Sequence, residues 1–522
     1  MNTQPSVSQM LWKVLATGLL LNLLLVLPAW WRDGQWASVW IAPEAWLLAA
    51  LFITLPSVRS TRIVAWLVAI LMALVIIAAF FDGLLRQVLS RPLNVLLDPL
   101  MLQSGFHLID GSLGRLAAIL ASVLLAGSCV LLVVGLRRAL RPRRYAHPAI
   151  VGILVAAGVL TVAGLAGHTG QRVDPVAAEL LRKQGMQVRH TLQSQRQFLA
   201  DLGADQMQAR PIPALAGRDV VVVFVESYGV SLLDQGRYNR RLQPLLERWQ
   251  TRLGAGGLAM RSTRMEAPIR GGQSWLAHAS LLAGLRIDNQ YWYRLFLDSD
   301  QPTLADDFRA TGHASIKITP AIIMDWPEGE QLGFDRIYSA ADLDYRGPPL
   351  GWVTMPDQYT LHHFAEHIRP RHEKPVFAQI ALISSHAPWT PLIEPLDWSG
   401  IGDGRVFKRW QDASSDPLRL WANPERLRQA YLGSIEYSLE VSLDWALHYL
   451  PDDALLIVLG DHQAASPVTG RGVSADVPVH LISSDEQLLE RFEAAGLQEG
   501  LVPGVTQAVW GLEDIRSLLR GL

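Results

Sequence analysis

The sequence predicts two architectures in one chain: an all-α membrane domain of five transmembrane helices, then an α/β outer domain with a largely parallel central sheet flanked by helices. Three observations carry this. Apolar stretches of about 20 residues, the length that crosses a bilayer, crowd the first third. Strand and helix patterns alternate from residue 216 onward. Val220–Val225 is a continuous apolar run without alternation, the pattern of a strand buried on both faces.

The chain has 522 residues, with 46 Lys and Arg against 48 Asp and Glu, a formal charge of −2. That balance argues against a general nucleic-acid binder, which needs excess positive charge to neutralise phosphates. The lone cysteine, Cys129, lies in an apolar stretch and excludes an intramolecular disulfide.

Residues 1–167 form the expected membrane domain, with spans near 10–30, 38–57, 62–82, 115–136 and 148–167. The first has no small-residue cleavage site after it and reads as a retained helix rather than a signal peptide. Orientation comes from arginine. Arg137, Arg138, Arg141, Arg143 and Arg144 lie between spans four and five, and Arg59 and Arg62 between spans two and three. Both connections belong in the cytoplasm by the positive-inside rule. The N-terminus is then inside and everything after residue 168 outside. Trp30 and Trp31 suit an aromatic belt at the outer end of span one. The connection 83–114 reads either as an amphipathic segment in the headgroup region or as a plain loop. Residues 168–215 read as a juxtamembrane helical linker, ended by Pro211 and Pro213.

The outer domain, 216–522, delivers chemistry at the ends of its strands. In parallel sheets ligands sit beyond the carboxyl ends, and there the first strand places Glu226. The strand 454–459 runs likewise into Gly460-Asp461-His462. The strand 375–384 ends in Ser-Ser-His-Ala-Pro-Trp, which carries His386. Between Leu258–Arg264 and the next helix stands Arg270-Gly-Gly-Gln-Ser274. Glycines allow close backbone approach, and a helix start offers free N–H groups and a positive dipole end, so this is an anion seat. Ser274 is either an N-cap or a nucleophile. His278, one turn on, faces the core or supports the site. The turn Met324-Asp-Trp-Pro-Glu-Gly carries Trp326, expected to be exposed.

Glu226, Asp461 and His462 offer two carboxylates and an imidazole. With Ser274 as a fourth donor the set suits zinc or manganese better than calcium, which favours an all-oxygen cage. A metal lowers the serine pKa and screens a phosphoryl or sulfuryl oxygen. His386 is placed to bind the leaving group or to act as acid and base.

Val-Glu-Ser (225–227), Ser274 opening a helix, Ser-His-Ala-Pro-Trp (385–389) and Gly-Asp-His (460–462) together resemble the sulfatase-like branch of the alkaline phosphatase superfamily. Five spans joined to an outward-facing catalytic domain resemble lipoteichoic acid synthases and the phosphoglycerol and phosphoethanolamine transferases. The resemblance implies Glu226, Ser274, Asp461 and His462 as ligands of one divalent metal, Ser274 as the nucleophile, and His386 and Trp326 as substrate contacts. It implies a multi-pass protein of a bacterial-type inner membrane with its catalytic domain on the periplasmic or extracellular side. The donor would be a membrane phospholipid and the acceptor a cell-envelope glycan or lipid.

There are departures. These transferases usually carry threonine where Ser274 stands. The Cys-x-Pro-x-Arg or Ser-x-Pro-x-Arg signature of sulfatases is absent, and so are the cysteines common in phosphoethanolamine transferases. This leaves phosphoglycerol transfer ahead. A phosphoric or sulfuric ester hydrolase of the same fold, and a non-catalytic membrane assembly module, are the alternatives. Retention of the whole ligand set argues against the module.

Overall fold

The computed structural model describes the chain except residues 1–5, 34–38, 103–104, 107–108, 111–113, 171, 205–207, 325, 352, 414–415 and 506–507. It divides into two compact units, residues 1–87 with 91–196, and residues 88–90 with 197–522.

The first unit is helical. α1 (Val7–Asp33), α3 (Arg59–Val88), α4 (Arg115–Ala139) and α5 (Pro148–Leu165) are long and apolar enough to cross a membrane. The span expected over 38–57 is the apolar helix α2 (Pro43–Thr54), with 12 residues, about 18 Å of rise. Before it the chain is extended, and the Trp40 N–H donates to Arg172 O across 2.9 Å. After it Pro56 stops the helix. α4 and α5 turn large side chains outward, with Leu124 70% and Leu131 73% exposed. Exposed apolar area of that extent has lipid as its natural solvent. The arginine-rich ends gather on one side: the Arg137 guanidinium lies 5.6 Å from the Trp66 ring centroid, and the Arg144 N–H donates to Leu55 O. At the other end Trp31 stacks on Phe80 and Trp30 meets Trp40 edge-on. Part of the 83–114 connection lies outside the described residues; α3 runs on to Val88, and a short 3-10 turn spans Asp98–Met101. α6 (Val176–Ala204) follows, and the boundary between the units falls within it, after Arg196.

The second unit is built on one sheet. In sequence the strands are β1 (Val220–Val225), β2 (Ala259–Glu266), β3 (Ala314–Thr319), β4 (Arg336–Ser339), β5 (Val376–Ala381), β6 (Leu455–Gly460), β7 (Asp476–Ser483), and the two-residue β8 (Gln498–Glu499) and β9 (Trp510–Gly511). Their order is β4-β3-β5-β1-β6-β7-β2-β8, with β9 beside β2. From β4 to β6 every pairing is parallel, while β7 runs antiparallel to both β6 and β2. The sheet is largely parallel, as expected.

β1 lies at the centre, buried on both faces. Val221, Val223 and Val225 enter a core with α7 (Gly236–Ala255) and the long Pro424–Tyr449 helix. Val220, Val222 and Phe224 enter a second core with α8 (Ser274–Ala283) and α9 (Leu304–Thr311). A strand whose residues alternate between two apolar cores explains the unbroken run. Register does the positioning: Val225 pairs with Gly460, so Glu226 and Asp461 emerge side by side.

Candidate metal and nucleophile site

Glu226, Asp461 and His462 are all buried, and one ligand atom from each lies within 4.8 Å of the others. The carboxylates come from adjacent strand ends. After Glu226 the backbone turns sharply, with Ser227 at φ 61°, a left-handed conformation costly for a residue with a Cβ. The turn aims the Ser227 N–H at Asp461 Oδ1 across 2.8 Å, and the same oxygen accepts the His462 N–H at 2.7 Å. Asp461 therefore holds the two strand ends with Oδ1 and keeps Oδ2 for the cluster.

His462 is oriented from behind. Its Nδ1–H donates to Gln463 O at 2.9 Å, which turns Nε2 toward Glu226 Oε1 at 3.2 Å and Asp461 Oδ2 at 3.9 Å. A backbone acceptor on one ring nitrogen is the usual way an imidazole is set to present the other to a metal.

Ser274 closes the group. Gly271, Gly272 and Gln273 all have positive φ, at 74°, 139° and 70°, and so turn the chain into α8. The Gly271 N–H donates to Gln463 O at 2.8 Å and so ties this loop to the end of β6. The Ser274 hydroxyl then donates to Glu226 Oε2 at 2.6 Å and lies 3.2 Å from His462 Nε2. Gln273, rather than Ser274, occupies the cap position.

Electrostatics follow from burial of so many charges. Burial alone would raise the Glu226 pKa, but the His462 imidazole and, after it, that of His386 hold it well below the usual carboxylate range. Asp461, desolvated beside the Glu226 charge, is pushed well above that range. Burial works against a charged His462, yet the two carboxylates raise it to about 9. These protons stand where a divalent cation would put its charge, since metal ligands bind deprotonated, and the donor set of two carboxylates and an imidazole fits such an ion.

His386 stands at the same rim. The Ser385 hydroxyl donates to Glu226 O at 2.7 Å and fixes the segment, and Nδ1 of His386 donates to Ala387 O. Trp326 follows the carboxyl end of β3. It is half-buried against the α8 core, and among the described residues it makes no hydrogen bond to the cluster. His278 packs its ring 4.1 Å from that of Phe224, and burial holds its pKa well below the ordinary value.

Three supports were not singled out from sequence: Gln463, the oxygen of which serves both His462 and Gly271; Ser385; and Tyr431, which donates to Ser227 O at 2.8 Å. Gln463 stands beside Gly-Asp-His, and Ser385 opens the Ser-His-Ala-Pro-Trp motif without a role of its own having been read for it. Tyr431 lies on a distant helix and had no sequence signal.

No protein-family model matches the chain, and no curated protein matches it. Its structure is similar to solved structures of two transferases and of an alkaline phosphatase superfamily protein. The integral membrane lipooligosaccharide phosphoethanolamine transferase A of Neisseria meningitidis is 12% identical, with 99% of this chain and 95% of that one covered at a TM-score of 0.47. The phosphoglycerol transferase GacH of Streptococcus pyogenes, in complex with sn-glycerol-1-phosphate, is 13% identical over 63% of this chain and 88% of that one, at 0.38. An alkaline phosphatase superfamily protein of Vibrio parahaemolyticus is 17% identical over 53% of this chain, at 0.34, and the match spans 62% of its own length. At these identities the likeness is one of fold.

Proposed function

We propose that the chain is a metal-dependent membrane transferase. It moves a phosphorylated headgroup, phosphoglycerol or phosphoethanolamine, from a membrane phospholipid to a cell-envelope glycan or lipid through a covalent intermediate on Ser274. One observation carries this reading: the Ser274 hydroxyl, first in its helix, gives its proton to Glu226 Oε2 at 2.6 Å. A capping serine would instead accept from its own helix.

Glu226, Asp461, His462 and Ser274 would hold one divalent ion, zinc or manganese by the mixture of oxygen and imidazole donors. When bound, it supplies positive charge that favours the ionised hydroxyl and offsets charge on the phosphoryl oxygens. The chain's own residues do the rest. Ser274 Oγ attacks phosphorus as its proton passes to Glu226 Oε2. The bond from phosphorus to the diacylglycerol oxygen breaks, and His386 gives that oxygen a proton. In the second half the acceptor hydroxyl gives its proton to His386 and its oxygen attacks phosphorus. Ser274 Oγ leaves and regains its proton from Glu226. One phosphate ester replaces another with no net proton change. The positive end of the α8 dipole favours the anion carried by Ser274. Trp326 and His386 would contact the substrate.

The arginine-rich ends of the spans favour an outer unit on the periplasmic or extracellular side of an inner membrane. Such an anchor ties the catalytic unit to the membrane that carries the donor lipid, which favours transfer from lipid over hydrolysis of a soluble ester. The test is peptide mass analysis after incubation with phospholipid. A headgroup-phosphate mass on the Ser274 peptide is expected, and turnover without that mass at any point in the time course would overturn the reading.

A further inference from the structure

The segment His362-His-Phe-Ala-Glu-His367 places three imidazoles within six residues. It joins the end of α10 (Asp357–His363) to a single π-helical turn, Phe364–Ile368. Such turns are uncommon and recur at functional sites. The segment stands apart from the catalytic rim. The Asp357 N–H, at the start of α10, donates to Ser384 Oγ beyond the carboxyl end of β5. About ten residues of helix, roughly 15 Å, separate that bond from His367. Just past the π turn Arg369 pairs with Asp219, ahead of β1 and so at the opposite end of the sheet.

The rings of His363 and His367 lie 4.9 Å apart, centroid to centroid, with 48° between their planes. Two imidazoles that each bind one ion through a nitrogen about 2.0–2.1 Å away have centroids roughly 5 Å apart at a near-tetrahedral angle. The pair therefore has the spacing of a two-donor metal site. His362 does not share it. Its ring lies 6.4 Å from that of His367, a separation that a shared ion spans only on a straight line.

One ring of the pair is already oriented. The Tyr359 hydroxyl donates to Leu343 O at 2.6 Å, so its oxygen is left to accept the His363 Nδ1–H at 3.4 Å. That tautomer leaves the lone pair on Nε2, the arrangement that prepares an imidazole for a metal. His363 is 4% exposed, and among the described residues its Nε2 has no hydrogen-bond partner. Buried polar side chains are normally partnered. His367 is exposed and has no hydrogen-bond or ion-pair partner among the described residues, so an ion reaches the pair from solvent. Glu366 faces the Tyr449 hydroxyl and is not counted as a donor.

We propose that His363 and His367 bind a second transition-metal ion, Zn²⁺ or Cu²⁺, with water in its remaining positions. Imidazole suits both metals, whereas Mg²⁺, Ca²⁺ and Mn²⁺ favour oxygen donors. The ion clamps the π turn on the path from α10 to β5. Neither residue belongs to the Ser274 site, so the pair stands or falls apart from the transfer reaction.

The test is elemental analysis of the full chain after equilibration with a slight excess of Zn²⁺ and gel filtration. Wild type should retain one zinc ion more than His363→Gln or His367→Gln, whatever the catalytic site holds, while His362→Gln should match wild type. His367 is exposed, so His367→Gln decides the matter if His363→Gln does not fold. Cu²⁺ should replace this zinc, and excess Mn²⁺ should not. The Cu²⁺ signal present in wild type and missing in His367→Gln should carry two imidazole nitrogens by electron paramagnetic resonance. Equal zinc in wild type and His367→Gln would place any bound zinc elsewhere and overturn the proposal. So would a difference signal with fewer than two imidazole nitrogens, or loss of the extra ion in His362→Gln alone.

Discussion

A side-chain carbon on Gly460 would lie 1.8 Å from the carbonyl oxygen of Tyr228. Gly460 ends β6, Tyr228 lies in the turn that follows β1, and both groups are main chain, so neither can swing aside. The close approach lets the turn after Glu226 pack against the end of β6. Gly460→Ala must push the ends of β1 and β6 apart, at a cost of about 1–3 kcal/mol by overpacking alone. The variant should melt earlier and lose metal although every ligand is present. Wild-type melting and metal content together would show that the approach is not needed.

Asp461 divides its work between two oxygens, and two substitutions separate them. Asparagine keeps an oxygen for the backbone N–H groups of Ser227 and His462, but puts an amide where Oδ2 faced the His462 ring. Asp461→Asn should therefore lose metal while melting near wild type. Asp461→Ala should lose metal and also stability, by about 1–3 kcal/mol for the unpaired N–H groups. Elemental analysis alongside thermal unfolding checks both, and full metal content in either variant removes Asp461 from the ligand set.

The legible part of the fold was the part dictated by burial. Val220–Val225 announced a central strand because both its faces had to be apolar, and the strand ends then named Glu226, Asp461 and His462. Strand direction was less accessible. β7 has the same unbroken burial as the parallel strands β1 and β6, and only pairing reveals that it runs the other way. The left-handed turn at Ser227 had no sequence signal, since tertiary contacts, not glycine, hold that conformation. The short α2 had one in Pro43 and Pro56, which bracket the apolar helix within a stretch that hydropathy alone joins into a full span. The turn suggested an exposed Trp326, and its substrate role came from resemblance; the ring is instead half-buried against the α8 core, because apolar area of that size packs where it can.

Lys317 is a buried cation with a pH signature. It projects from β3, its ammonium donates to Gln379 Oε1, and it lies 5.7 Å from the Phe334 ring centroid. Burial lowers its pKa from the ordinary 10.5 to about 7. The unfolded chain therefore binds more protons than the folded one between about pH 7 and 10, so stability should rise with pH across that window. Below about pH 7 the full penalty of a charged buried amine applies. Lys317→Met should raise the melting temperature most at about pH 6 and progressively less toward about pH 10. A constant difference at all pH values would show that Lys317 stays charged in the fold.

Orientation is open to a direct check. Arg59, Arg62 and the five arginines from Arg137 to Arg144 lie at connections that the positive-inside rule keeps in the cytoplasm. A C-terminal alkaline phosphatase fusion should be active, and a fluorescent protein that matures only in the cytoplasm should stay dark there. The opposite pair of results would invert the topology.

Ser274 gives the sharpest separation of mechanisms. Its oxygen has two roles in the proposed reaction, as metal donor and as nucleophile, whereas its helix, burial and neighbours do not depend on the hydroxyl. Ser274→Ala removes one atom from a half-buried position and should melt near wild type. Headgroup transfer should fall by on the order of 10³-fold or more, since the proposed reaction loses the oxygen that carries the intermediate. Glu226→Gln should be nearly as damaging for a different reason: the amide can neither take the Ser274 proton nor supply a charged donor, so metal is lost as well. Ser274→Thr keeps the hydroxyl and adds a methyl group, and should retain measurable transfer if Oγ is the attacking atom. The three variants are compared for transfer, metal content and melting temperature. Transfer in Ser274→Ala within about tenfold of wild type, with metal retained, would replace the serine intermediate by direct attack of the acceptor hydroxyl on the lipid phosphate.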